Sequence, residues 1–197
     1  GCEVCWDPLR ALVRFRAGAT IRHLSTRDRG PRARSGVPMR IAVLCERKAG
    51  ERRVAVTPEA AAALVADGHS VVVESGAGAG AGMSDDAYAE AGASIGADLA
   101  GTFGDGGVVM SVNGPTGADA LGHLGADHIV VGLFDPVWRP DAAAAVAATG
   151  ATMIALDLVP RSTRAQAVDV LSSQATVEGF QSVLLAAGRL PKMLPML

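Results

Sequence analysis

Short apolar runs alternate with alanine-rich stretches along most of this chain. The apolar runs are rich in valine and isoleucine, which is typical of strands that are buried on both faces of a parallel sheet. The alanine-rich stretches have the length of helices, and two of them open with a threonine or serine that can cap a first turn. This alternation predicts an α/β fold in which helices connect parallel strands.

The predicted elements begin just after Met39. Strands are predicted at 41–45, 69–74, 108–112, 129–133 and 152–156, and helices at 57–67, 85–91, 119–124, 141–149 and 177–187. Thr57, Pro58 and Glu59 supply the cap, the first-turn proline and the acidic residue of the first helix, which Gly68 ends. We expect a three-layer fold of the Rossmann-like or flavodoxin-like type, with a mostly parallel sheet and helices on both faces.

A polar segment, residues 159–173, follows the last predicted strand. It therefore lies at the edge where open α/β sheets bind ligands. If Thr163 caps a helix, then Gln166, Asp169 and Ser173 share one helix face. The Gln166 amide could form hydrogen bonds with both the donor and the acceptor of a carboxamide. Arg161 and Asp169 could then orient the two amides through charge-assisted hydrogen bonds. The residues alone leave a structural alternative open, in which Thr163 and Gln166 form a capping box and Arg161 pairs with Asp169 on the surface.

The same segment resembles the RQD loop in the NAD-binding component of proton-translocating NAD(P) transhydrogenase. Arg161, Gln166 and Asp169 occupy the matching places, and Ser172 matches the serine that follows them. The likeness extends over residues 39–197. It includes the ordered motifs Arg40-Ile-Ala-Val-Leu44, Gly50 to Glu59, Gly68 to Glu74 and Ser75 to Gly82.

That resemblance implies a function for the segment. The family component binds NADH between two α/β domains and passes hydride to NADP on another component, while a membrane component moves protons. Arg161, Gln166 and Asp169 are then expected to position the nicotinamide, with Ser172 as a further contact to the cofactor. Hydride moves directly between two nicotinamides, so no residue needs to transfer a proton.

The resemblance also implies cofactors, partners and a location. The cofactors are NAD(H) on this component and NADP(H) on a partner, and the partners are the membrane and NADP-binding components and a second copy in a homodimer. The location is cytoplasmic, peripheral to the inner membrane through those partners. By resemblance this chain is the first of the two domains, it stops before the second dinucleotide-binding domain, and it is expected to be inactive alone.

Two other functions stay open. The first is that of alanine dehydrogenase, a relative that shares this domain, in which an arginine at the position of Arg53 binds the substrate carboxylate. Its lysine corresponds to Ser111 and its catalytic histidine falls near Phe134, so this chain lacks both the second cation and the proton donor. The second is a non-catalytic remnant or interaction domain whose polar loop binds nothing.

Composition limits the class of protein to which this chain can belong but does not identify its function. The chain has 197 residues, enough for one domain or for one domain plus an appendage, and a net charge of −2 that gives no reason to expect a nucleic-acid partner. No apolar run approaches the roughly 20 residues of a membrane span. With 49% hydrophobic but only 4% aromatic residues, the core must be built from aliphatic side chains.

Residues 1–38 differ from the rest of the chain. They include only three acidic residues but eight arginines, at positions 10, 14, 16, 22, 27, 29, 32 and 34. We interpret this stretch as an extension upstream of Met39, with a transit peptide or basic arm as the alternative. Cys2 and Cys5 lack a second ligand pair for zinc, and Cys45 should behave as a small apolar residue, so neither a metal site nor a disulfide is predicted.

Three other patterns resemble functional motifs of other proteins but are not interpreted as functional sites in this chain. The glycines of 76–82 satisfy a relaxed dinucleotide fingerprint, yet they continue until the next helix begins and are interpreted as a flexible connecting loop. The sequence 92–96 matches a nucleophile elbow but follows a helix rather than a strand. His69 directly follows a helix-ending glycine and is expected to be a turn or strand-edge residue, and His123 and His128 flank a loop with no partner acid at a useful spacing.

Overall fold

The computed structural model describes residues 37–163 and 165–191. The predicted arginine-rich extension, with Cys2 and Cys5, therefore lies outside the described residues except for its last two positions. The described part contains one six-stranded sheet and the helices that cover it.

All six strands of the sheet run parallel, in the order β3-β2-β1-β4-β5-β6. The strands are β1 Arg40–Val43, β2 Ser70–Glu74, β3 Ser94–Gly96, β4 Gly107–Met110, β5 His128–Gly132 and β6 Thr152–Ala155. The chain works outward from β1 to β3 and then returns to place β4 on the other side of β1. This doubly wound order confirms the predicted Rossmann-like fold.

Helices pack on both faces of the sheet. They are α1 Pro58–Ala66, α2 Asp85–Glu90, α3 Leu99–Phe103, α4 Ala118–Gly122, α5 Pro140–Ala148 and α6 Val170–Arg189. Alternate residues of β1 enter two separate cores, because successive strand side chains point to opposite faces. Ile41 and Val43 pack with α1 and α2, whereas Ala42 and Leu44 pack with α3, α4 and α5.

Local capping explains where the first three helices begin. The side chains of Thr57, Ser84 and Asp98 each accept a hydrogen bond from a backbone N–H in the first turn that follows. Such caps satisfy donors that have no partner inside the helix. Pro58 occupies the first turn of α1, where its missing N–H costs nothing.

Strand β3 and helix α3 were not predicted from the sequence. Both are short, and their small residues give no clear periodicity. Gly96 in β3 contacts Thr102 of α3 so closely that a Cβ there would lie 2.2 Å from the Thr102 Oγ1 atom. Ser94 opens the strand rather than ending it, so it does not sit at the strand-to-helix turn that a nucleophile elbow requires.

The last helix was predicted too late. It begins at Val170 rather than at 177, so the hydroxyl-rich stretch before 177 is also helical. The hydroxyls of Ser173 and Thr176 donate to the carbonyls of Asp169 and Ser172, four residues earlier, at 2.9 and 3.0 Å. Side chains that usually compete with a helix are thus satisfied inside it.

The glycine-rich segment connects β2 to α2, as predicted, but it is packed. It contains a 3₁₀ turn at Ala79–Ala81, and the Gly76 N–H donates to the Asp85 carboxylate at 2.9 Å. A Cβ on Gly78 would lie 2.7 Å from the ring of Tyr88. The glycine at this position is therefore needed for close packing between the loop and α2.

Candidate functional site

The loops after β1 and β4 meet where the strand order reverses. Glu46, just after β1, accepts hydrogen bonds from the backbone N–H groups of Val112 and Asn113 and from the Asn113 side chain, the last at 3.0 Å. In doubly wound sheets the crevice at this reversal, outside the carboxyl ends of the strands, is where ligands bind. The carboxylate therefore fixes the two loops that border the expected site.

An ion pair extends from the same junction. The Arg53 guanidinium donates from Nε and Nη2 to the two carboxylate oxygens of Glu51 at 2.8 and 2.6 Å, and Asn113 donates to Glu51 at 2.9 Å. These hydrogen bonds, Arg53 first, hold the pKa of Glu51 far below its usual range. The bonds with Glu51 also raise the pKa of Arg53. The arginine is thus a fixed cation whose charge is already paired.

Arg53 also reaches α6. Its Nη1 atom donates to Oε1 of Gln174 at 3.2 Å, across 121 positions of the chain. Both residues line a cavity of about 270 Å³ at the carboxyl ends of β4 and β5, and its lining also includes Leu156 and Val170. The cavity therefore joins the Arg53 position to the first turns of the helix that follows the polar segment.

Ser111 and Phe134 stand where alanine dehydrogenase was expected to have its lysine and its histidine. Ser111 lines the cavity with only 4% of its surface exposed, and its hydroxyl has no hydrogen-bond partner among the described residues. Phe134 is buried, and its ring lies so close to Gly114 that a Cβ on Gly114 would be 2.5 Å from a ring carbon of Phe134. Neither position holds a group that could exchange a proton with a substrate at neutral pH.

Asp169 begins α6 instead of projecting from a helix face. Its Oδ1 atom accepts from the Ser172 N–H at 3.0 Å and its Oδ2 atom from the Ser172 hydroxyl at 2.6 Å. These two hydrogen bonds lower the pKa of Asp169, and the charge of Arg161 lowers it further. The prediction that Thr163 caps a helix carrying Gln166, Asp169 and Ser173 on one face is therefore wrong.

The structure brings together some of the predicted site residues. Asp169 and Ser172 bond each other, and the adjoining Val170 lines the cavity that Arg53 borders. Arg161 and Gln166 are exposed, Gln166 in a 3₁₀ turn at 166–168. Asp169 directly follows that turn and caps α6.

Four site residues were not predicted from the sequence, namely Glu46, Glu51, Asn113 and Gln174. The loops that carry the first three follow β1 and β4, and a predicted strand order would have placed those two strands side by side. Gln174 gives no such signal, because its contact with Arg53 depends on the path of α6. Each of these residues positions Arg53 or the loops beside it.

The three histidines make contacts within the fold. The His69 Nδ1 atom accepts from the Met39 N–H at 3.3 Å, and the His128 Nδ1 atom accepts from the Gly125 N–H at 3.1 Å. The rings of His123 and His128 both pack against Phe103. Cys45 is half-buried at the end of β1, and this burial, together with Glu74, raises the pKa of its thiol.

Comparison with known proteins decides the family. The model of the family "Alanine dehydrogenase/PNT, N-terminal domain" matches residues 42–178. The chain belongs to this family. The match includes Arg53, Ser111 and Gln174 of the cavity and Asp169 and Ser172 of the α6 cap, so the site described above lies within the family domain.

The relatives include transhydrogenase subunits. The chain is 40% identical over 137 residues to NAD(P) transhydrogenase subunit alpha of Cereibacter sphaeroides, covering 70% of this chain and 26% of that protein. It is 34% identical over 149 residues to NAD(P) transhydrogenase subunit alpha of Haemophilus influenzae, covering 76% and 28%. The chain therefore spans less than a third of the length of these two relatives.

A solved structure gives the same result. The transhydrogenase from Sinorhizobium meliloti superimposes with a TM-score of 0.72 at 37% identity, over 80% of this chain and 47% of that one. The fold of the described residues thus matches that of a transhydrogenase. Within residues 37–163 and 165–191, none of the helices has the length and apolarity needed to cross a bilayer.

Proposed function

We propose that this domain is the portion of a transhydrogenase alpha subunit that positions the nicotinamide of NADH for direct hydride transfer. NADP is held by a partner component, and transfer is coupled to proton translocation by a membrane component to which this domain is peripheral on the cytoplasmic side. In this proposal Asp169 and Ser172 fix the start of α6, and Arg161 and Gln166 extend from the loop before it toward the coenzyme.

The observation that supports this proposal most is the cavity between Arg53 and the start of α6. It lies at the carboxyl edge of a doubly wound sheet, its lining is mainly aliphatic, and the described side chains that line it include no histidine, cysteine, lysine or carboxylate. A site that only orients two nicotinamides needs such a surface, because catalysis then depends on position rather than on proton transfer.

Alanine oxidation is less well supported by the same site. That reaction requires a group that takes a proton from the amine and a cation for the substrate carboxylate. Here the cation, Arg53, is paired with Glu51, and the neighbouring positions hold Ser111 and Phe134. Alanine dehydrogenase activity is therefore an alternative outcome of the test below.

A chimera tests the proposed function. Residues 39–189 would replace the matching segment of the Cereibacter sphaeroides alpha subunit, and hydride transfer from NADH to an NADP analogue would be measured with the NADP-binding component present. We expect transfer in the chimera and a loss of about 100-fold in rate in the Asp169→Asn variant, because a small misplacement of the ring is enough for such a loss.

Ser94→Ala is the matched control, since Ser94 is exposed at the start of β3, far from the cavity in the sheet order. This variant should transfer hydride at the rate of the unmodified chimera. Equal rates in the Asp169→Asn and Ser94→Ala variants would contradict the proposal. Reduction of NAD with alanine as the only donor would replace it with an alanine dehydrogenase function.

A further inference from the structure

A connected set of hydrogen bonds joins the loops after β1 and β4 to helix α6. The side-chain nitrogen of Asn113 donates to Glu46 at 3.0 Å and to Oε2 of Glu51 at 2.9 Å. Arg53 donates to both carboxylate oxygens of Glu51 and, through its third nitrogen, to Gln174 in the second turn of α6. These five side chains, Glu46, Asn113, Glu51, Arg53 and Gln174, form the polar network.

The Glu51 carboxylate is fixed at both of its oxygens. Its Oε1 atom accepts from the backbone N–H groups of Arg52 and Arg53 at 3.1 and 3.0 Å, and its Oε2 atom accepts from Asn113 at 2.9 Å. Only 9% of the Glu51 side chain is exposed, so little water competes for these bonds. The carboxylate cannot rotate without breaking a hydrogen bond, and its plane is therefore fixed relative to the loop after β4.

The orientation of Glu51 determines the direction in which Arg53 points. The guanidinium is planar, and its Nε and Nη2 atoms donate to the two oxygens of Glu51 at 2.8 and 2.6 Å in a bidentate arrangement. With those two nitrogens occupied, the position of Nη1 follows from the plane of the carboxylate. Because Nη1 is the atom that donates to Gln174, the direction of the bond to α6 is set by Glu51 and, one step earlier, by Asn113.

Helix α6 depends on this bond because it has few other connections. Residues 171–186 are all exposed, and no side chain of the helix is buried against the rest of the described chain. Val170 lines the same cavity as Leu156, whereas the Asp169 cap bonds Ser172 within the helix. Among the described residues, the bond from Arg53 is the only side-chain hydrogen bond that α6 receives from another element.

We propose that the polar network positions the start of α6, and that Asn113 and Glu51 are positioning residues for hydride transfer although neither lies on the helix. The assignment to that reaction rests on the proposed function. In that function Asp169 and Ser172 fix the start of α6 beside the loop that reaches the coenzyme, and Gln174 lies in the next turn. A shift of about 1 Å at this point would slow a reaction that depends on orientation.

Hydrogen exchange on the full 197-residue chain tests the positioning without any coenzyme. Gln174→Leu removes the acceptor for Arg53 while keeping helix propensity, and the amides of residues 172–175 should then exchange about three- to tenfold faster, as loss of one hydrogen bond predicts. Gln174→Glu keeps an acceptor and should restore most of the protection. Gln181→Leu is the matched control, because Gln181 is exposed on the same helix, and it should leave these amides unchanged.

The far end of the network gives a sharper test. Asn113→Ala removes the donor to Glu51 and breaks no hydrogen bond of α6, yet the same amides of residues 172–175 should exchange about two- to fivefold faster. In a chain that already carries Gln174→Leu, Asn113→Ala should have no further effect on them. Residues that act through one network are not additive, whereas independent residues are.

Kinetics in the Cereibacter sphaeroides chimera test the link to the reaction. Asn113→Ala and Gln174→Leu should each lower kcat for hydride transfer about tenfold, because the ring is held in a less productive orientation. The apparent KM for NADH should change less than about twofold, since the interactions that bind the coenzyme remain. Gln174→Glu should recover most of the rate. A purely structural role would reduce the amount of folded protein without separating kcat from KM.

Several outcomes would overturn the proposal. These are equal exchange in the Gln174→Leu and Gln181→Leu variants, no effect of Asn113→Ala on α6, additive effects in the double variant, or faster exchange that extends to β1 and β2. The outcome is separable from that of the proposed function. Altered exchange confined to α6, with no hydride transfer by the unmodified chimera, refutes only the transhydrogenase role. Equal hydride transfer in every variant refutes only the positioning role of the network.

Discussion

Helix α6 and the half of the sheet that contains β1, β2 and α2 are stabilised in different ways. In the sheet half, Tyr88 is fully buried and its hydroxyl donates to the Val56 carbonyl at 2.7 Å. In α6, no side chain is buried against the rest of the described chain, and Phe180 is 67% exposed. The Arg53–Gln174 hydrogen bond and the packing of Val170 beside Leu156 connect the helix to the rest of the described chain, whereas the Asp169 cap bonds only Ser172 of the same helix.

The difference separates stability from binding. The tightly packed half contains no residue of the proposed site apart from the Arg53 loop, whereas α6 contributes Ser172 and Gln174 and is capped by Asp169. Elements with few buried contacts open at low cost, and ligand-binding segments are commonly drawn from them. Substitutions in the sheet half should therefore change the free energy of unfolding, and substitutions in α6 should change mainly ligand contacts.

The largest expected effect is in the sheet half. Tyr88→Ala should lower the free energy of unfolding by about 3–5 kcal/mol, because it removes a buried aromatic ring and leaves a cavity. Phe180→Ala in α6 should change it by less than about 0.5 kcal/mol, since the ring is exposed. Urea denaturation of both variants checks the pair. A loss for Phe180→Ala close to that for Tyr88→Ala would show that α6 is packed in solution.

Two glycines sharpen the comparison. Gly96→Ala should destabilise the chain by about 1–3 kcal/mol, because the new Cβ would lie 2.2 Å from the Thr102 Oγ1 atom. Gly179→Ala in α6 meets nothing within 4 Å and should stabilise the helix by about 0.5–1 kcal/mol. Thermal unfolding would reveal the opposite signs. Destabilisation by Gly179→Ala would contradict the description of that helix face as open.

The cap of α6 should act locally. Asp169→Ala removes the acceptor for both Ser172 bonds, so the Ser172 amide should exchange with solvent roughly five- to tenfold faster. Amides of β1 and β2 should keep their protection. Hydrogen exchange measured residue by residue makes this comparison, and a global loss of protection would mean that α6 and the sheet unfold as one unit.

Acid should affect the Arg53 pair modestly. The pKa of Glu51 is lower in the folded chain than its ordinary value, so its stabilising contribution is complete above that ordinary value and declines as pH falls toward the folded pKa. The contribution should be below about 1 kcal/mol, because the pair is partly open to solvent. Stability measured from pH 6 down to about 3 should fall less steeply in Glu51→Gln than in the unmodified chain. If the stability of the Glu51→Gln variant and that of the unmodified chain fell equally with pH, a role for this pair in stability would be ruled out.

Much of the sheet could be predicted from the sequence, because long apolar strands buried on both faces leave a strong pattern. Five of the six strands and the caps of α1 and α2 follow from such local signals. Strand β3 could not be found, because Ser94, Ile95 and Gly96 are too few for periodicity, and close contact with Thr102 decides their conformation.

Some residues of the candidate site could be named from the sequence, but its geometry could not be predicted. Arg53, Asp169 and Ser172 were named from motifs, yet the helix expected after Thr163 begins instead at Val170. The choice between two possible caps depends on which side chain finds its hydrogen-bond geometry in the folded chain. The link between Arg53 and Gln174 joins segments 121 positions apart and has no local signal.

The proposed function requires this domain to contact the nicotinamide half of NADH. Saturation-transfer NMR on the full chain with NADH measures that directly, because the nicotinamide and adenine protons are resolved from each other. We expect weak binding in which the nicotinamide ring protons receive the strongest saturation and the adenine protons little, with loss of the nicotinamide signal in Asp169→Asn but not in Ser94→Ala. Saturation dominated by the adenine protons would contradict the claim.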